Sequence, residues 1–240
     1  ISRGGENRHY RLNNFVHRNG DLYPTHGLGP IAKMLNINKG NRFVSLVAMS
    51  SKARGLHQYA VDHLGPEHNQ FNTVFNQGDI TTTMIKCANG ETVLLTHDCS
   101  LPRPYSRAQR VQGTKGIWME DKNAVHFDSD EGEEWTPMSD LYENHEHPVW
   151  KEFMARGVKG GHGGMDWLVQ RAFIDAIKAR RQTPVDVYDS VAWMAVTALS
   201  EDSIACGSQP QPFPDFTNGK WIRTRPNPDH YWTLDGVHKV

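Results

Sequence analysis

The chain has 240 residues, of which 38% are hydrophobic and 22% charged, a composition that suits a globular fold of one large domain or two small ones. A formal net charge of −1 gives no basic footprint for nucleic acid or an acidic membrane surface. No apolar run approaches the ~18 residues of a membrane span, and Ile1-Ser2-Arg3-Gly4-Gly5-Glu6 lacks the apolar core of a signal peptide. The chain does not begin with methionine and is expected to be a fragment or a processed product.

Residues 1–20 read as polar and irregular, with Arg8, His9, Tyr10 and Arg11 clustered. Arg11 is either a solvated surface charge or a clamp for an anion or hydroxyl, because a guanidinium offers several donors in a fixed plane. The next stretch, Asp21-Leu22-Tyr23-Pro24-Thr25-His26-Gly27-Leu28-Gly29-Pro30, concentrates a phenol and an imidazole between prolines and glycines. Pro24 fixes its own φ and disfavours the helical region at Tyr23. Ile31, Met34 and Leu35 follow at the spacing of a short helix, ending between Asn36 and Gly40. Tyr23 and His26 are therefore expected on a stiff turn entering a helix, with converging polar tips. The alternative is a buried, hydrogen-bonded pair with a purely structural role. Gly27 and Gly29 also match the spacing of a dinucleotide-binding loop, but the preceding residues lack the buried strand that such a loop requires.

Phe43–Ser50 reads as a strand, and residues 52–70 as a mixed segment with room for one short helix. Ile80–Cys87 and Glu91–Asp98 flank Ala88-Asn89-Gly90, and Asn-Gly between two β-rich runs is a strong hairpin signal. Cys87 and Cys99 flank this hairpin and either face one another or stay as reduced thiols. Together with Cys206 they make no disulfide framework. Leu101-Pro102-Arg103-Pro104-Tyr105 is a proline-stiffened link. Arg107–Gln112 and Ile117–Glu120 make a second hairpin around Gly113-Thr114-Lys115-Gly116, with Val125-His126-Phe127 as a further short strand. Residues 128–150 read as a long acidic, then histidine-bearing loop. Two helices follow, from about Met165 to Arg180 and from about Val187 to Cys206. Their apolar faces are Trp167, Leu168, Phe173, Ile174 and Ile177, then Val191, Met194, Ala195, Ala198 and Leu199. The tail holds Pro210, Pro212, Pro214, Pro226 and Pro228 and should be extended. Strands grouped first and helices later predict an α+β fold: an open, mainly antiparallel β-sheet with helices on one face.

His145-x-His147 fits no zinc spacing and the Asp128–Glu134 run no calcium loop, so no metal site is expected. Gly160-Gly161-His162-Gly163-Gly164-Met165-Asp166 opens the backbone around an imidazole and runs into a helix N-terminus, where N–H groups favour anions or hydroxyl oxygens. A hinge with Asp166 as its cap is the equal alternative. Thirteen histidines and seven tryptophans suit a carbohydrate or polar small-molecule pocket, and equally an aromatic core. No nucleophile elbow, Ser-His-Asp order or glycosidase carboxylate pair can be picked out.

Taken together, Tyr23-Pro24-Thr25-His26, Pro104-Tyr105, Glu146-His147-Pro148 with Trp150-Lys151, His162-Gly163-Gly164-Met165-Asp166 and Phe213-Pro214-Asp215-Phe216 with Gly219-Lys220-Trp221 resemble one family. It is that of the NAD-dependent glycosidases of family 109, α-N-acetylgalactosaminidase-like members of the Gfo/Idh/MocA oxidoreductase superfamily. The resemblance implies that residues 1–240 form a single C-terminal substrate-binding domain. It also implies that NAD is bound mainly by an N-terminal Rossmann domain outside this chain. The implied chemistry is transient oxidation at the sugar C3, elimination across C2–C1 and addition of water, on an N-acetylgalactosaminide-like substrate. Residue by residue, Tyr23 and His26 match catalytic positions, and an ordinary imidazole titrates near neutrality as acid–base work requires. Arg11, Tyr105 and His162 match substrate-binding positions. A homo-oligomer through the sheet face is also implied. A sugar dehydrogenase of the same superfamily and a non-catalytic carbohydrate-binding or oligomerisation module are the other readings.

Overall fold

The computed structural model describes residues 9–157, 160–223 and 231–234. Arg8, Pro226 and Pro228 lie outside the described residues. The chain divides into two compact units, Ile1–Arg103 with Val187–Arg225, and Pro104–Asp186 with Pro226–Val240. The division falls inside Pro102-Arg103-Pro104, where neither proline has an N–H to extend a β-ladder.

The first unit runs α1 (His9–His17), α2 (Thr25–Met34), β1 (Phe43–Ser50), α3 (Gly55–His63), β2 (Ile80–Cys87), β3 (Thr92–Asp98), then α7 (Val187–Ala205) and β8 (Gln211–Pro212). Its sheet has the order β3-β2-β1-β8 and is antiparallel throughout. The expected β2–β3 hairpin is present, in register from Ile80↔Asp98 to Lys86↔Thr92. Alternation decides its faces. Thr81, Thr83, Ile85 and Cys87 of β2 and Val93, Leu95 and His97 of β3 point inward. The inward side carries Leu28 and Ala32 of α2 and Ala192 and Val196 of α7, packed with Phe43, Leu46 and Phe213 in one core. Helices thus cover one face, as expected. Met49, Met84 and Leu94 stay exposed on the other.

Several details depart from the sequence reading. Residues expected to be irregular form α1, whose Phe15 carbonyl accepts N–H groups from Asn76 and Gln77 at 3.0 and 2.9 Å. Cys87 ends β2 beside the hairpin turn, whereas Cys99 follows β3 at the open end, so the two are a full strand apart and all three cysteines are free. On α7 the expected apolar face is buried only in part, through Ala195 and Leu199 packed against the core. Asp189, Ala192, Val196, Thr197, Ser200 and Ser203 are buried, and Val191 and Met194 are exposed. Small and hydroxylated side chains let this helix approach closely and supply hydrogen bonds. The Ala48 N–H, for example, donates to Ser203 Oγ at 2.9 Å.

The second unit holds β4 (Arg110–Gly113), β5 (Gly116–Met119), β6 (Ala124–Phe127), β7 (Thr136–Pro137), α4 (Tyr142–His145), α5 (Pro148–Ala155) and α6 (Met165–Lys178). The second hairpin therefore builds its own antiparallel sheet, ordered β4-β5-β6-β7, and does not extend the first. The stretch expected to be a loop contains α4 and the start of α5. His147 caps α5, its Nδ1 accepting the Val149 N–H at 3.2 Å. Phe153 of α5 is buried and stacks on Trp167 of α6 with ring centroids 5.5 Å apart. Phe173, Ile174 and Ile177 of the expected apolar face of α6 are exposed. No helix among the described residues is long and apolar enough to cross a membrane.

Candidate functional site

In the first unit, three of the expected site residues meet. Pro24 is the N-cap of α2, with its carbonyl accepting the Leu28 N–H at 2.9 Å, so Tyr23 and His26 flank the helix entrance. Their rings stack with centroids 4.7 Å apart and an interplanar angle of 28°. The Arg11 guanidinium lies 5.1 Å from the Tyr23 ring centroid, within cation–π range. Arg11 Nε–H donates to the Tyr10 hydroxyl at 3.1 Å. That hydrogen bond is the leading reason the guanidinium titrates above its ordinary value. Tyr23 is 47% exposed and Arg11 and His26 are also exposed, which sets aside the alternative of a buried structural pair. The result is a cation and an imidazole both set against one exposed phenol, a three-residue column in sequence order.

The column stands on a buried base. Asp21, only 2% exposed, precedes it, and the Tyr23 N–H points to its Oδ1 at 3.4 Å. The Asp21 N–H donates to Ser200 Oγ at 2.9 Å, and its carbonyl accepts the Thr197 hydroxyl at 2.8 Å. One turn earlier, Arg18 forms two hydrogen bonds to the Glu201 carboxylate at 2.7 and 2.6 Å. Glycine at position 20 is required by close approach: a Cβ there would lie 2.6 Å from Glu201 Cγ. Behind Gly27, Leu95 of β3 makes the contact, and His97 follows on the same face, buried and edge-on to Phe15. Burial lowers the His97 pKa and raises the Asp21 carboxyl to about 6.

Tyr105 and His162 belong to the second unit. Tyr105 is 85% exposed, and its hydroxyl accepts the Arg107 Nε–H at 3.3 Å. His162 is exposed and pairs through Nδ1 with Asp166 Oδ2 at 2.8 Å. Gly160, His162, Gly163 and Gly164 all have positive φ, so the glycines serve a tight left-handed path into α6. No group of three or more metal-ligating side chains occurs among the described residues.

The glycines of the opening stretch do not form a dinucleotide cradle. Both lie inside α2. A Cβ at Gly29 would meet the Trp193 ring at 3.3 Å and one at Gly27 would meet Leu95 at 3.4 Å. They admit protein neighbours, and no strand leads into them among the described residues. Two residues of importance escaped the sequence reading. Asp21, two positions before Tyr23, carries the signature of an Asx turn, which could have marked it. Tyr10, the anchor of Arg11, carries no such signal.

Solved dehydrogenase structures share this fold. The chain is similar to an inositol dehydrogenase homolog complexed with NAD+ from Azotobacter vinelandii, with TM-score 0.52 and 14% identity over 89% of this chain and 54% of that one. Levoglucosan dehydrogenase in its apo form is similar at TM-score 0.52 and 16% identity, covering 87% of this chain and 63% of that one. The sequence narrows the class. Residues 2–223 match the family described as glycosyl hydrolase 109, C-terminal domain, and the chain belongs to that family. An alpha-N-acetylgalactosaminidase of Tannerella forsythia is 49% identical over 90% of this chain and 47% of its own length. A glycosyl hydrolase family 109 protein of Stenotrophomonas maltophilia is 46% identical over 93% of this chain and 50% of its own. The chain spans about half the length of these curated relatives.

Proposed function

We propose that this chain is the substrate-binding part of an NAD-dependent glycoside hydrolase acting on N-acetylgalactosaminide-like sugars, with Tyr23 and His26 catalytic and Arg11, Tyr105 and His162 binding substrate. The observation that carries this reading is the exposed Arg11–Tyr23–His26 column, in a chain 49% identical to an alpha-N-acetylgalactosaminidase. Arg11 supplies planar donors to sugar hydroxyl or acetamido oxygens. Tyr23, in contact with both cation and imidazole, donates or accepts at a ring hydroxyl. His26 has the one ordinary side chain able to take up and return a proton near neutral pH. NAD would be held by a Rossmann domain outside these residues, because Gly27 and Gly29 are used for packing. The chemistry assigned to this chain is accordingly binding and orientation of the sugar and movement of protons.

The exposed Met49, Met84 and Leu94 of the sheet's outer face support a second copy of the chain as a further partner. Light scattering of the full-length protein should return a multimer, and a monomer at micromolar concentration would rule the interface out.

The functional reading is tested by His26→Ala in the full-length enzyme. Turnover of an aryl N-acetylgalactosaminide should fall at least about 100-fold, the scale of a lost general acid–base group, with bound NAD unchanged. Retention of the wild-type rate would remove His26 from the chemistry. Net reduction of added NAD+ by the free sugar, without glycoside cleavage, would favour a dehydrogenase.

A further inference from the structure

We propose that Asp21 is a positioning residue of the site: its buried carboxylate holds the Tyr23 amide and so fixes the turn that sets the phenol against both Arg11 and His26. The inference rests on the functional reading above only for what the stack does, not for how it is held.

Both backbone hydrogen-bonding groups of Asp21 are already committed to α7, the N–H to Ser200 Oγ and the carbonyl to the Thr197 hydroxyl. Ser200 in turn donates to the Thr197 carbonyl at 2.9 Å, so the two α7 side chains are themselves fixed. The preceding residue is equally constrained, with the Gly20 N–H donating to Gln77 Oε1 at 3.1 Å. Residues 18–21 therefore form a rigid base, and the Asp21 side chain is what links that base forward to Tyr23. Two residues further on, the stack begins.

A purely structural Asx turn would be served by a neutral side chain, which avoids the cost of ionising a carboxyl group that is 2% exposed. The carboxylate is a stronger acceptor for an amide N–H when charged than when neutral. The groups around Asp21 do not cancel this effect. On α7, Thr197 and Ser200 are neutral, and Glu201 is closed on Arg18, just after α1. From the end of β3 comes the Cys99 thiol, which feels Asp98, Arg103, Asp21 and Arg11. On its own turn Asp21 meets Tyr23. Burial is the leading influence on the Asp21 carboxyl and raises it to about 6, so its hold on Tyr23 should strengthen as pH rises through that value.

The test uses the full-length enzyme with selectively 15N-labelled tyrosine. The Tyr23 amide proton should titrate with a midpoint near pH 6 in the wild type and lose that step in Asp21→Asn. In steady-state assays with an aryl N-acetylgalactosaminide, Asp21→Ala should lower kcat at pH 7.5 at least about fivefold with KM within about twofold. Asp21→Asn should hold the lower rate of the protonated wild type across pH 5–8, without the acid limb assigned to Asp21. A pH-invariant Tyr23 amide, or an Asp21→Asn profile that keeps the wild-type acid limb, overturns the proposal. If Asp21→Ala fails to fold, Asp21→Asn and the amide titration decide it. Absence of glycosidase turnover in the wild type would refute the functional reading, and the amide titration would still judge Asp21.

Discussion

The turn at residues 21–26 and the loop at residues 160–164 both join a histidine to glycines, yet opposite physics holds them. The turn is anchored by burial. Its base is fixed to α7 by hydroxyls that are themselves buried, and its glycines at 27 and 29 face Leu95 and Trp193. The loop is shaped by backbone conformation, with positive φ at Gly160, His162, Gly163 and Gly164 and an exposed His162–Asp166 pair. A Cβ at Gly163 would meet nothing within 4 Å. A glycine next to a histidine therefore has no fixed meaning. In the turn it permits close packing, and in the loop it permits a left-handed path.

Perturbations of similar size should then have very different effects in the two units. The largest is expected at the Lys33–Asp189 pair, which joins α2 to α7 at 2.6 Å with side chains only 11% and 3% exposed. Removing one partner of a buried pair costs about 3–5 kcal/mol. Lys33→Ala should lower the denaturation midpoint of the first unit accordingly, and a loss below about 1 kcal/mol would show that the pair does not anchor the helix beneath the site.

Asp21 gives the next effect, with a definite pH sign. Its folded-state pKa of about 6 lies above the ordinary 3.8, so the stability this group confers is complete below about pH 4 and lost as pH rises through about 6. The difference of roughly two pH units corresponds to about 3 kcal/mol. Asp21→Asn should thus gain stability over wild type at pH 8 that it does not gain at pH 4, read from denaturant midpoints at both. His97 runs the other way. Burial lowers its pKa, so its contribution is present above the ordinary imidazole value of 6.5 and lost on acidification. Asp21→Asn should therefore also uncover a rise in stability with pH that Asp21 offsets in the wild type.

Gly20→Ala should cost about 1–3 kcal/mol, the range for forcing an extra carbon into a packed contact, because that carbon would lie 2.6 Å from Glu201 Cγ. The smallest effect belongs to the loop. Asp166→Asn breaks an exposed pair and should change stability by less than about 0.5 kcal/mol, measured by the same denaturation. A large loss there would mean that the loop, like the turn, is held by its contacts.

Much of the molecule was legible from local pattern. Period-two alternation and Asn89-Gly90 defined the β2–β3 hairpin, because turn chemistry sets strand register locally. Pro24 and the apolar spacing after it marked the start of α2, and with it the adjacency of Tyr23 and His26. The resemblance carried by Tyr23-Pro24-Thr25-His26 and the later motifs led to the family that residues 2–223 match. Tertiary structure alone decided the rest. Which face of α7 turns inward depended on how closely it approaches β1, and that approach selected Ala192, Ser200 and Ser203 over the larger Val191 and Met194. The division of the strands into two sheets depended on the first ladder ending at Asp98 and the chain passing through Pro102 and Pro104 into a second unit, beyond the reach of periodicity. The placement of Arg11 over Tyr23, and of Asp21 beneath it, joins residues whose supports lie about 180 positions away on α7. Sequence spacing encodes neighbours along a helix or strand, and only the folded chain brings such distant partners within hydrogen-bond range.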